Sequence, residues 1–290
     1  MGEPVVYAYA VLGDTEGTAG ALEGARGVAG APVHLVGAGA GADGAPDSGS
    51  SLTAAVSTVP AADFQESALR HHLEDLEWLE SVARAHHTVI ECLAAHTTVL
   101  PLRLATVYLD EERVRTMLRR DAEAFSLALR RLAGHLEWGV KIYVESGTDA
   151  VQPSTGPAPA TEGTAGAADQ LGPGRSYLRA RRAQRQSREA FHQAAREAAE
   201  RVEAIGATMA TGHARHRVQQ GELAGGAGEN VVNDAYLLAR ENAEEFRARV
   251  LDAGRGLPGV RIDVTGPWAP YSFAAPPGRE HPAEAADPAS

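Results

Sequence analysis

From Trp138 to Phe273 the sequence reads strand, helix, strand, strand, helix, strand, and this order constrains the fold more than any single residue does. Its last strand is explicit: Val260, Ile262 and Val264 alternate with Arg261, Asp263 and Thr265, the two-residue period of a half-buried strand. The run closes on Thr265-Gly-Pro-Trp-Ala-Pro-Tyr-Ser-Phe273. Pro267 and Pro270 have no backbone donor, which confines them to a sheet edge or a strand exit. Trp268, Tyr271 and Phe273 therefore either lock the chain end onto its own domain or face a partner.

The preceding elements of this half follow the same logic. Trp138, Val140, Ile142 and Val144 alternate with polar or small residues, a strand. Phe191, Ala195, Ala198, Val202 and Ile205 mark the inward stripe of a helix that begins near Arg175. Strands are expected over 215–220 and 231–238 around a Gly-rich turn, then a helix on Ala243, Phe246, Val250 and Ala253. That order is the ferredoxin-like split pattern.

The first half reads as a separate α+β unit. Val5 to Val11 is wholly apolar, with Val5, Tyr7, Tyr9 and Val11 on one face and Val6, Ala8 and Ala10 on the other, as in a central strand with a helix on its small face. Residues 33–36 and 52–59 are two more strands, joined by the low-complexity segment 37–51, which reads as a long mobile loop. Asp63 and Glu66 form a capping-box pair ahead of a long amphipathic helix on Leu69, Leu73, Leu76, Val82, Val89 and Leu93. A short strand with a proline lies in 97–104. Asp110 then caps a helix with the stripe Val114, Leu118, Phe125, Leu129 and Leu132.

The expected organisation is α+β with two domains: 1–133, and a ferredoxin-like domain over 134–275. A disordered Pro/Gly/Ala/Thr-rich insertion is expected at 146–174 and a disordered acidic tail at 276–290.

Chemistry is sparse. Cys92 is the one cysteine, which rules out an intrachain disulfide or a cysteine zinc site and reads as a buried, inert thiol. The paired histidines His71-His72 and His86-His87 stand about four helical turns apart, and His213 and His216 lack a third ligand, so no metal or cofactor site is expected. Gly37-Ala-Gly-Ala-Gly41 follows a strand but opens no helix, so no helical amides would hold a pyrophosphate. Catalytic residues are therefore expected to be absent. No segment approaches the ~20 apolar residues of a membrane span, and a cytoplasmic location is expected. The net charge of −11 disfavours nucleic acid and anionic membrane. Against that background, eight arginines and three glutamates between Arg175 and Arg201 leave a local excess of five positive charges. Arg179, Arg182 and Arg185 on that helix are candidate contacts for an acidic protein surface. An RNA- or other nucleic-acid-binding domain would need aromatic residues on the middle strands, where only Tyr236 is available, and a small-molecule enzyme domain would need a pocket of convergent polar groups.

Five segments in order resemble the gas vesicle accessory proteins GvpF and GvpL: Val5-Val-Tyr-Ala-Tyr-Ala10; Leu73-Glu-Asp-Leu-Glu-Trp-Leu79 with Ala85-His-His87; Thr98-Val-Leu-Pro-Leu-Arg-Leu-Ala-Thr-Val-Tyr108; Glu137-Trp-Gly-Val-Lys-Ile-Tyr-Val144; and the closing peptide to Phe273. The resemblance implies a two-domain α+β fold whose C-terminal part is ferredoxin-like. It also implies a non-enzymatic role in building the gas vesicle through contacts with the shell protein GvpA and other accessory proteins. It supplies no binding residues. Trp268, Tyr271 and Phe273, with the arginine face, are nominated on physical grounds, Trp268 as the more structural and Tyr271 and Phe273 as nearer the partner.

Overall fold

The computed structural model describes residues 3–13, 18–39, 52–72, 74–145, 173–218 and 228–274. They divide into two compact units: 1–138 with 237–240 and the chain end from 266, and 139–236 with 241–265. The expected insertion, but for its last two residues, and the expected acidic tail lie outside the described residues, as does most of the 37–51 connector.

The first unit is built on strand β1 (Val5–Leu12), buried along its whole length. After a short helix α1 (Thr18–Ala21) and a 3-10 turn (Val28–Gly30) come β2 (Val33–Gly37) and β3 (Thr53–Val59). Helices α2 (Ala61–Phe64), α3 (Glu66–His72) and α4 (Leu76–Ala94) lead to β4 (Val99–Pro101) and β5 (Val107–Tyr108), then α5 (Glu111–Arg120) and α6 (Ala122–Leu132). The sheet order is β2-β3-β1-β4, with β5 also on β1 and every pairing antiparallel. β1 is thus central, as its sequence requires, and proline-bearing β4 is at an edge.

One feature overturns the expected facing of β1. Its register against β3 shifts between Ala8 and Ala10, a bulge at Tyr9. A bulge adds one residue to one strand and inverts the alternation beyond it. Ala10 and Leu12, not Val11, therefore join Val5, Tyr7 and Tyr9 in one cluster with Val82, Val89, Ile90 and Leu93 of α4. The bulky face packs on α4. The apolar residues of α5 and α6 (Val114, Leu118, Leu129 and Leu132) are also buried, outside that cluster.

The expected long helix from Asp63 is three helices. Gln65 is extended and breaks the first from the second, and Asp75 rather than Asp63 caps the long piece, accepting from the amides of Glu77 and Trp78. Asp110 caps α5 as expected, accepting from Arg113 N at 2.8 Å. The expected strand over 97–104 is shorter, and a turn carries the chain on to β5.

The remaining strands are β6 (His135–Val144), β7 (Gly212–Arg215), β8 (Glu229–Ala239) and β9 (Val260–Trp268), in the sheet order β7-β8-β6-β9. Helix α7 (Pro173–Met209) follows β6 and α8 (Ala243–Asp252) follows β8. The strand expected over 215–220 lies earlier, at Gly212–Arg215, where His213 stacks on Tyr236 with ring centroids 4.8 Å apart and bonds Asp234 at 3.0 Å. Pro267 is on β9, an edge strand, as its missing donor demands.

Gly206 of α7 explains how tightly the second unit packs. A Cβ there would stand 2.2 Å from the Tyr236 ring, itself 2% exposed and wedged against Phe246. The ring is held between His213 and Phe246, which opposes its moving aside. Gly206→Ala should therefore destabilise by about 2 kcal/mol or more despite the better helix propensity of alanine. Equal or higher stability by chemical denaturation would contradict this packing.

Candidate interaction site

The closing peptide does not leave the first unit. Gly266, at φ 128°, passes so close to β6 that a Cβ would lie 2.9 Å from the Glu137 carbonyl and 3.2 Å from the Trp138 ring, so only glycine fits. Beyond Trp268 the chain forms a strap with Ala269 buried and a 3-10 turn at Tyr271–Phe273.

Three polar anchors fasten the strap. The Ser272 amide donates to Glu137 Oε2 at 2.8 Å and its hydroxyl to Oε1 at 2.6 Å. Arg131 donates to the Phe273 carbonyl. Tyr271 is bonded to His87 Nδ1 at 3.1 Å, and His87 Nε2 meets Glu91 at 3.1 Å. With Glu91 accepting from Nε2, Nδ1 is left to accept the tyrosine proton. Burial pushes the Tyr271 hydroxyl well above its ordinary range, helped by the negative charges of Glu91 and Glu137, so it remains a donor.

This geometry sorts the three nominated aromatics differently from the sequence expectation. Phe273 is 8% exposed and Tyr271 packs partly buried against the core, whereas Trp268 is 38% exposed and tilted over His87 at 5.5 Å. The turn folds the later two inward. Trp268 is left at the surface. Glu137, the principal anchor, has no signal in the sequence: it is an acid one residue out of step with the inward pattern, yet it is buried and bonded to the strap.

The arginine helix is exposed at every described side chain from Leu178 to Ala190. Arg179, Arg182 and Arg185 are all on this part, and Arg185 pairs with Glu189 one turn on, at 3.2 Å. Later arginines serve the fold: Arg188 meets Glu229 at 3.4 Å, and Arg201 donates to the Ala253 and Arg255 carbonyls at the end of α8. Tyr236, the one aromatic available for base stacking, is buried. Among the described residues no cluster of three His, Cys, Asp or Glu side chains is placed to hold a metal, and no helix is long and apolar enough to cross a membrane.

The described residues thus join a central strand bearing two tyrosines, a cap-broken helix run and a proline-closed strap. Residues 5–275 match the gas vesicle synthesis protein GvpL/GvpF family, and the chain belongs to that family of gas vesicle formation proteins. It is similar to Gas vesicle protein L of Streptomyces sp. (strain CB03234), with 41% identity over 268 residues and 92% of each chain covered. Its fold is similar to two crystal structures of the gas vesicle protein GvpF. For the protein of Anabaena sp. PCC7120 the TM-score is 0.56 at 20% identity, over 96% of this chain and 99% of that one. For the protein of Microcystis aeruginosa it is 0.55 at 16% identity, over 93% and 99%.

Proposed function

We propose that this protein is a non-catalytic accessory protein of gas vesicle assembly, cytoplasmic and associated with the vesicle, that binds the shell protein GvpA and other gas vesicle proteins. The observation that carries the contact is Trp268, a large aromatic at the surface, followed directly by a strap anchored at Tyr271, Ser272 and Phe273. An exposed aromatic with no ordering left to lose is the kind of residue that dominates interfaces. The face formed by Arg179, Arg182 and Arg185 supplies a second, electrostatic contact for an acidic surface. Tyr271 and Phe273 act through it, as packing that presents Trp268.

The strand order β7-β8-β6-β9, with a helix after the first and third strands in sequence, supports a ferredoxin-like second domain beginning near residue 134.

Pull-down with GvpA tests the proposal directly. Wild-type protein should capture GvpA, and Trp268→Ala should lose most of that capture while its melting temperature barely moves. Deleting the gene should abolish or deform vesicles and leave growth in shaken culture unchanged. Undiminished capture by folded Trp268→Ala would remove the tryptophan from the interface.

A further inference from the structure

Beside the strap, the first unit has a cleft of about 300 Å³ between the end of α4, the start of β4, the start of β6 and Ala269-Pro270. Its titratable lining residues are His96, His135 and Arg240, and among the described residues no acid lines it. In a chain of net charge −11 that composition is selective. A concave surface of one sign concentrates ligands of the other.

The histidines are pre-oriented. His96 Nδ1 bonds the Cys92 carbonyl at 2.9 Å and His135 Nδ1 bonds the Ala133 carbonyl at 2.8 Å. A carbonyl only accepts, so each Nδ1 carries the hydrogen and each Nε2 stays available, becoming a cationic donor when the ring is protonated. The Arg240 amide is fixed to the Gly134 carbonyl at 3.0 Å, while its guanidinium lies 3.5 Å from the Ala94 carbonyl, at the limit of a hydrogen bond. The α4 C-terminus opposes an anion with about half a negative charge. Arg240 carries a full positive one, so the cleft remains net positive.

We infer that this cleft binds a carboxylate side chain of a partner polypeptide whose apolar residue rests on Trp268. The inference rests on the reading of Trp268 as a contact and adds what else the partner must carry. Trp268 lies over His87, and the cleft begins at Ala94, seven residues along the same helix. At ~1.5 Å per residue the two points are about 10 Å apart, which an extended chain at ~3.3 Å per residue spans in roughly three residues. Side chains alternate along an extended chain, so those facing the protein lie an even number apart, and the partner motif is an apolar residue and an acid four positions apart. A carboxylate suits the site better than a bare phosphate because Arg240 is the one permanent cation in it.

The probe is acetyl-Phe-Ala-Ala-Ala-Glu-amide, against the same peptide ending in Gln and one with a single Ala spacer. Titrations on the full chain, followed by the His96, His135 and Arg240 side-chain resonances, should show the Glu peptide binding roughly tenfold or more tighter than the other two, the range of a charge-assisted hydrogen bond. Arg240→Gln keeps its backbone bond and should bind the Glu and Gln peptides alike, with its melting temperature recording that it is folded. Equal binding of the peptides by wild-type protein, a Glu preference that survives in Arg240→Gln, or no shift at these residues overturns the inference. Loss of GvpA capture in Trp268→Ala is scored separately and speaks to the reading beneath it.

Discussion

Phe273→Ala should lower unfolding stability by about 3–5 kcal/mol, the range for removing a fully buried phenylalanine. Phe273 is 8% exposed at the end of the strap, and its own carbonyl is held by Arg131. Removing the ring leaves a void beneath the turn and loosens the residues that order Trp268. Trp268→Ala, one strap turn earlier, should cost only about 1 kcal/mol, because the ring already meets water on one side. The two substitutions therefore separate packing from contact: the first lowers the melting temperature strongly, and GvpA capture only indirectly, through the strap that presents Trp268. The second lowers capture strongly with little change in stability. Glu137→Ala offers an independent check on the strap, since it strands the Ser272 amide and hydroxyl, both bonded at 2.8 Å or less. A cost of roughly 2 kcal/mol is expected from two donors losing a charged acceptor. A Phe273→Ala protein as stable as wild type by denaturant titration would mean that the strap does not contribute to the fold.

Much of this fold was legible because its signals are local. The β1 run, the β6 and β9 alternations, the Asp110 cap and the inward stripes of α5 through α8 depend on neighbours within a few residues. The failures are the non-local ones. Nothing in Val5–Leu12 announces the bulge at Tyr9, which is set by the register against β3. Asp63 and Glu66 have capping-box spacing, yet Asp75 caps the long helix because the chain must turn twice before α4 packs on the tyrosine face. The same limit governs the site. Aromatic residues next to prolines were visible as a special ending. Which of them faces water depends on Glu137, 135 positions before its partner Ser272, a contact no local pattern encodes.

His86 should give the first unit a steep acid dependence, up to about 3 kcal/mol. The ring is 3% exposed, lying among Tyr7 and Tyr9 with centroids within 5.7 Å. Tyr7 accepts the Ala105 amide at 3.0 Å, so its one proton goes to His86 Nδ1, also at 3.0 Å, and the imidazole hydrogen is on Nε2. That atom makes no hydrogen bond. Burial pushes the ring down to about 4 from an ordinary 6.5, the nearby Leu102 carbonyl offsets part of this, and the neighbouring His87 adds to it. The unfolded chain therefore binds the proton first as pH falls. The stabilisation is complete above pH 6.5, erodes below it and is gone near pH 4, a gap worth about 3 kcal/mol. Carboxylates impose their own acid slope, so the informative quantity is the difference from His86→Gln, which can still accept from Tyr7 but does not titrate. Between pH 6.5 and 5, wild type should lose about 2 kcal/mol more than the variant in denaturant titrations. Parallel curves for the two proteins would show that His86 titrates normally and that its burial does not hold it neutral.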